Sequence, residues 1–280
     1  MQVGTDVVHV ILTRFNLATP GRESAIRNQP GWLAGRFALF ERYCLPTVAA
    51  QQGARQGRDF RWIVYFDEAT PEPFRARIAA CRAVCDFHPY FTPIFPGEQW
   101  GISARAVLAA EGREAPWLLS TRLDNDDGLA VDFVARVQAA ASSVPAGRVA
   151  FNVTEGYVFD GARAYAHAHP SNAFASLVEP WASARTVSDH QHMHLGETAP
   201  IVQVGGPGGW LQVVHGGNVS NKIRGRRVPA AELAGRFPAR LALGAPASAA
   251  AIAAENLFVA PLREARDRAA GLVRRLRRRA

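Results

Sequence analysis

Three short apolar runs end in polar groups, and that repetition constrains the fold more than any other feature of the chain. Val7-Val8-His9-Val10-Ile11-Leu12 runs into Thr13-Arg14-Phe15-Asn16, and Phe60-Arg61-Trp62-Ile63-Val64-Tyr65-Phe66 runs into Asp67. Trp117-Leu118-Leu119-Ser120-Thr121-Arg122-Leu123 runs into Asp124-Asn125-Asp126-Asp127-Gly128. A strand buried on both faces reads as a continuous apolar run that delivers polar residues at its carboxyl end. Helix-period stretches separate the runs, over residues 32–52 with Leu33, Phe37, Phe40, Cys44 and Leu45 on one face, over 70–84, and over 102–111. A third strand is expected over 85–91, a helix over 131–141, one or two strands over 148–159 and another over 210–214. Strand, helix, strand, helix, strand is the order of a doubly wound α/β sheet. Residues 161–209 read as loop and hold five of the eight histidines, and residues from 229 onward read as Ala-rich helix.

The net charge of +8 misdescribes the body of the protein. From Arg263 to Ala280 eight arginines face only Glu264 and Asp267, which leaves about +2 for everything before them. A nucleic-acid-binding domain would spread a basic stripe over its folded surface, so a nucleic-acid partner is not expected. Lys222 is the one lysine among 32 basic residues. The apolar run nearest the N-terminus is six residues and contains His9, against about 20 for a spanning helix. Cys44, Cys81 and Cys85 cannot all pair and lack metal-finger spacing, so they read as reduced thiols of a cytoplasmic protein.

Asp124-Asn125-Asp126 carries the sharpest chemistry. Two carboxylates two residues apart on extended chain share a side and can converge on one hard cation, and ligands of open α/β sheets bind outside the strand carboxyl ends. Mn2+ or Mg2+ would keep positions open there for diphosphate oxygens. The alternative is a turn whose Asp and Asn side chains cap backbone amides. An EF-hand loop does not fit, because Gly128 and Ala135 stand at its fifth and twelfth positions.

Together with these residues, His9 to Asn16, Arg36 to Pro46, Phe66 to Pro71, Ser120 to Asp127 and Val214 to Asn221 make the chain resemble the rhamnosyltransferase family of bacterial glycosyltransferases over roughly residues 7 to 225. The resemblance implies a GT-A-like (Rossmann-like) nucleotide-diphosphosugar transferase fold, a mixed sheet flanked by helices, over residues 1–228, followed by a C-terminal helical extension over 229–280 with its basic tail. It implies an enzyme that moves a sugar, rhamnose among the candidates, from a nucleotide-diphosphosugar to a glycan or lipid-linked acceptor. Asp124 and Asp126 would hold the metal, with His215 as a further ligand. Thr13, Arg14 and Asp67 would contact the nucleoside, Arg105 and Arg122 would approach phosphate or buttress the carboxylates, and Asp127 and Asn218 would complete the donor site.

Inversion at the anomeric carbon needs a base within reach of the acceptor hydroxyl. Glu179 and Asp189 lie between the acidic turn and His215, where inverting enzymes of this fold usually place it, and His190 is next. Two other function classes compete. His190, His192 and His194 alternate, so on a strand they would face one side as zinc ligands of a hydrolase do; and the fold could persist as a non-catalytic sugar-binding module. In the tail, Leu262, Ala265, Ala269, Leu272, Val273 and Leu276 recur at helical spacing among arginines, which fits either peripheral contact with an anionic membrane or a solvated terminal helix.

Overall fold

The computed structural model describes residues 2–18, 23–93, 99–216, 222–263, 265–266 and 269. Its first half contains β1 (Val7–Arg14), α1 (Glu23–Ile26), α2 (Pro30–Leu39), α3 (Leu45–Ala49), β2 (Arg61–Asp67), α4 (Glu72–Val84), β3 (His88–Thr92), α5 (Gln99–Ala110) and β4 (Trp117–Arg122). There follow β5 (Gly128–Leu129), α6 (Phe133–Ser142), β6 (Val149–Val153), β7 (Glu155–Phe159), β8 (Ala164–Ala168), β9 (Ser176–Pro180), β10 (Ile201–Val204), β11 (Trp210–Val213), β12 (Arg226–Val228) and α7 (Ala249–Ala254).

Seven strands form one sheet in the order β10-β6-β9-β4-β1-β2-β3, and five form a second in the order β12-β8-β7-β11-β5. β1 pairs in parallel with β2 and β4, and β2 with β3, as the alternating strands and helices require. β9 enters antiparallel between β4 and β6 and makes the sheet mixed. Side chains alternate across it as the strand period demands. Ile11, Trp62, Val64 and Phe66 join the core that holds Leu33, Phe37 and Phe40 of the first helical stretch, while Val10, Leu12, Ile63 and Tyr65 pack with Trp100, Ala104 and Leu108 of α5. Both faces of the sheet are therefore covered, and its edges alone can present polar groups.

The stretch expected as one helix over 32–52 is helical from Pro30 to Ala49 with a π turn at Phe40–Cys44 between α2 and α3. The third strand sits slightly later than expected, and residues 161–209, expected as loop, hold β8, β9 and β10. β8 escapes a periodicity reading because Ala-Tyr-Ala-His-Ala has little hydrophobic contrast. After residue 229 the chain is less helical than expected, since short 3₁₀ turns at Ala230–Leu233 and Ala239–Leu241 precede α7. Leu233, Phe237 and Leu241 bury against Tyr157, Phe159 and Leu211 of the second sheet. Of the expected tail helix over 262–276, the described residues 262–263, 265–266 and 269 are helical, and Leu272, Val273 and Leu276 lie outside the described residues. Among the described residues no helix is long and apolar enough to cross a membrane. Cys44, Cys81 and Cys85 are unpaired and buried, and burial pushes the Cys81 and Cys85 thiols up to about 12.

Candidate functional site

The acidic turn leaves β4 at the carboxyl edge of the sheet, beside the end of β1, because the register sets Leu12 opposite Arg122. Its own side chains lock it there. Asn125 Nδ2 donates to the carbonyls of Arg14 and Phe15, each at 2.9 Å. Asp127, 1% exposed, accepts from the Val213 amide at 2.8 Å and so ties the turn to β11 of the second sheet. Burial pushes the Asp127 carboxyl well above the usual carboxylate range, and the charges of Asp126 and Asp124 push it the same way. Asp127 thus anchors the turn, where a donor contact had been expected of it.

Asp126 Oδ2 accepts from Arg36 Nη1 at 2.9 Å and lies 2.9 Å from His215 Nε2. This brings together two expected metal ligands that are 89 residues apart in the chain. The third, Asp124, pairs with Arg122 Nη2 at 3.1 Å. Burial works against the charge on Asp124, but Arg122 and Arg14 hold its carboxyl below the usual range. Arg122 and Asp124 stand where two cavities meet. A small one of about 80 Å³ is lined also by Leu12, Arg14, Trp100 and Ser188. A larger one of about 320 Å³ is lined also by His167, His169, His192, Trp210, Lys222 and Arg224.

Fit to a divalent ion can be judged from the donor set. The Asp126 oxygen and the His215 nitrogen are 2.9 Å apart. Neighbouring ligands of an octahedral ion with bonds of roughly 2.1 Å are separated by about 3 Å, so an ion could take both atoms with little movement only once their hydrogen bond is given up. Asp124 is turned onto Arg122, and among the described residues no three His, Cys, Asp or Glu side chains converge. The arrangement suits an ion held by one or two protein ligands and completed by water and phosphate oxygens, the usual habit of Mg2+.

The other expected site residues fall into two groups. Arg14 opens on the small cavity. Thr13 does not, since its hydroxyl is buried and accepts from Trp62 Nε1 at 2.9 Å. Asp67 is engaged with Arg27 Nε at 2.7 Å and the Ala69 amide at 2.8 Å, so its carboxylate shapes the loop after β2. Arg105 donates to the carbonyls of Trp181 and Ala182, at 3.2 and 2.7 Å, and holds the turn after β9. Asn218 lies outside the described residues.

Glu179 is not brought to the site. On β9 it stands opposite Leu118, at the amino end of β4 and so at the far end of the strand from the acidic turn. It is 1% exposed, lies 2.8 Å from Arg148 Nη2, and accepts from the Thr186 amide at 2.8 Å, which secures a non-glycine residue at φ 78. Such a carboxylate supports a turn. Glu179→Ala is expected to cost about 1–3 kcal/mol of stability, the penalty of an unmet buried donor, since Arg148 is partly solvated. Calorimetric melting, with transfer measured per folded molecule, checks this; a loss of turnover at unchanged stability would contradict it.

Asp189 ends the 3₁₀ turn Val187–Asp189, and its carboxylate is fully buried 3.8 Å from Arg185 Nε. The three alternating histidines do not share a face, because the chain there is not a strand: His190 follows that turn and His192 opens another, His192–Glu197. His194 turns to Glu197 Oε1 at 2.8 Å, whereas His192 faces the large cavity with Asp124. Arg36 was not anticipated as a site residue, although it belongs to the segment that carries the family resemblance. No local pattern couples it to an aspartate 90 positions away.

The sequence profile of the family described as "Putative rhamnosyl transferase" matches residues 8–227. No curated protein matches the chain. Among solved structures, TarS 1-349 of S. aureus aligns with a TM-score of 0.42 and 9% identity over 74% of this chain and 60% of that one. The same protein in complex with UDP aligns at 0.40 and 11% identity over 76% and 61%. A longer S. aureus TarS chain aligns at 0.40 and 9% identity over 74% and 37%. The chain thus spans about three fifths or less of the length of these structures.

Proposed function

The chain belongs to the rhamnosyl transferase family, a family of glycosyltransferases, and from that premise we propose that it moves a sugar, rhamnose by the family's name, from a nucleotide-diphosphosugar to a glycan or lipid-linked acceptor with inversion. One observation carries the reading: Asp126 faces His215 at 2.9 Å while Asp124, two residues away, stands at the meeting point of two cavities. Donor and acceptor can therefore each reach the acidic turn through a separate cavity.

The donor side is the small cavity at the end of β1. Arg14 offers it a planar guanidinium, suited to diphosphate oxygens. Asp124, Asp126 and His215 are the residues that would hold Mn2+ or Mg2+. Bound there, the ion would offset charge developing on the departing nucleoside diphosphate. Arg122 and Arg36 orient Asp124 and Asp126, and Asn125 keeps the turn fixed to β1. On the acceptor side His192 takes the role of base. Burial lowers its imidazole to about 4, so near neutral pH it is unprotonated and can accept the hydroxyl proton. Incubation with dTDP-, UDP- and GDP-linked sugars and Mn2+ tests the reading through release of nucleoside diphosphate. No release from any donor, with or without acceptor glycans, would favour a non-catalytic sugar-binding module.

Peripheral membrane contact enters the same proposal. Leu257, Phe258, Val259 and Leu262 are 50–71% exposed, while Glu255 on the same segment is buried and pinned by Tyr165 and Arg227. The segment thus turns apolar side chains outward just before the arginine-rich sequence, a pattern suited to an anionic bilayer surface. Removing residues 264–280 is expected to abolish sedimentation with anionic vesicles at low salt, since each basic residue near such a surface contributes about 1 kcal/mol before screening. Sedimentation that survives the truncation, or that persists at high salt, would contradict it.

A further inference from the structure

The larger of the two cavities is cationic in a way the donor does not explain. Among the described residues Arg122, Lys222 and Arg224 line it together with one carboxylate, Asp124, which Arg122 contacts at 3.1 Å. Lys222 is the only lysine in the chain. Under the transferase reading the diphosphate of the donor is assigned to Arg14, in the other cavity.

The cationic wall is built into the fold. β12 pairs antiparallel with β8, Arg226 opposite Ala166, so the residues just before β12 lie alongside the end of β8 and the histidines there. Gly225 allows this close approach. At φ +89 its backbone suits glycine, and a Cβ would stand 2.1 Å from the Ala166 carbonyl oxygen. Arg224 is thereby held beside His167 and His169. Burial, with help from Arg224, lowers both imidazoles, His167 to about 4. Uncharged at neutral pH, they supply N–H donors without adding to the repulsion between the cations. Phe174 and Trp210, stacked at 5.1 Å between centroids and each 1% exposed, form a rigid floor under the same cavity. Cations and hydrogen-bond donors in one cleft suit a sugar that carries a negative charge.

We infer that this cleft receives the acceptor, and that the acceptor bears an anionic group, a phosphate or a carboxylate, held by Lys222 and Arg224. The inference rests on the transferase reading and adds the chemical class of the second substrate to it. The anion would sit at the Arg224 end of the cleft, leaving a hydroxyl of the same molecule to face His192 beside Asp124.

Isothermal titration of the full chain, saturated with UDP and Mn2+, tests this with glucose 6-phosphate, glucuronate and neutral glucose as probes. Binding of either anionic sugar, but not of glucose at the same concentration, is expected, and the tighter of the two identifies phosphate or carboxylate as the group recognised. Lys222→Ala and Arg224→Ala should each weaken that binding about tenfold, the effect of one charged hydrogen bond, with UDP affinity unchanged. Equal binding of glucose, no binding of either anionic sugar, or variants that bind as tightly as the parent would overturn the inference. An anionic sugar that binds in the absence of UDP but not to the UDP-saturated protein would overturn it too, making the cleft part of the donor's phosphate site. Anionic sugars that bind to a protein with no affinity for any nucleoside diphosphate would leave the cleft an anion site and refute the transferase reading instead.

Discussion

A nucleoside diphosphate is expected to raise the melting temperature of this protein only when Mn2+ or Mg2+ is present, and Asp126→Ala is expected to erase the gain. Two carboxylates, Asp124 and Asp126, stand two residues apart in the acidic turn, and a bare diphosphate brought to them would be repelled. Ligand at one hundred times its dissociation constant contributes about 2.7 kcal/mol to the native state. For a chain of this size that corresponds to roughly 5–10 °C. Because Asp126 also holds Arg36 and His215, its removal changes the unliganded protein as well. The quantity to compare is therefore the shift on adding ligand, measured separately for parent and variant. Equal shifts in EDTA and in Mn2+ would show that Arg14, Arg36 and Arg122 neutralise the diphosphate unaided, and the metal proposal would fall.

What the sequence discloses of this molecule is what short-range pattern can encode. β1, β2 and β4 are continuous apolar runs because both faces of the sheet are covered, and each ends where its polar residues reach the open edge. The acidic turn is legible for the same reason, as is the clustering of Arg14 and Arg122 around it. His215 is harder to place from sequence, and only the family resemblance put it near Asp126. β8 and β9 are less visible, one because alanine blurs the alternation, the other because Ser176-Leu177-Val178-Glu179-Pro180 reads as an apolar run followed by a catalytic carboxylate. Direction decides that case. β9 runs antiparallel to β4, so a residue after its apolar run points away from the end that β4 serves, and Glu179 lands at the wrong edge. The histidine triplet fails for a related reason, since alternation implies one face only on a strand, and 3₁₀ geometry separates His192 from His194. Arg36, Lys222 and Arg224 depend on tertiary approach alone, which no window of sequence contains.

His192→Ala is expected to lower transfer by about a hundredfold to ten-thousandfold, the range a positioned general base supplies, while the metal-dependent shift with nucleoside diphosphate stays intact. The assignment follows from which titratable side chains reach the acceptor cleft beside Asp124: of the histidines that line it, His192 interacts with Arg122 and Asp124, whereas His167 and His169 interact with Arg224. Asp189 has a fully buried carboxylate near Arg185, and Glu179 is at the far end of β4. His192 lines the cleft with Asp124, and its carbonyl accepts from the Ser171 hydroxyl at 2.8 Å, a main-chain anchor that alanine preserves. Loss of turnover with donor binding retained therefore reports on the imidazole and not on the fold of the turn. Asp189→Asn is the matched comparison: a variant that keeps the shape of a buried side chain should transfer at nearly the parental rate. If Asp189→Asn abolishes transfer and His192→Ala does not, His192 is not the base, and Asp189, on the turn that carries Ser188 to the edge of the small cavity, takes its place.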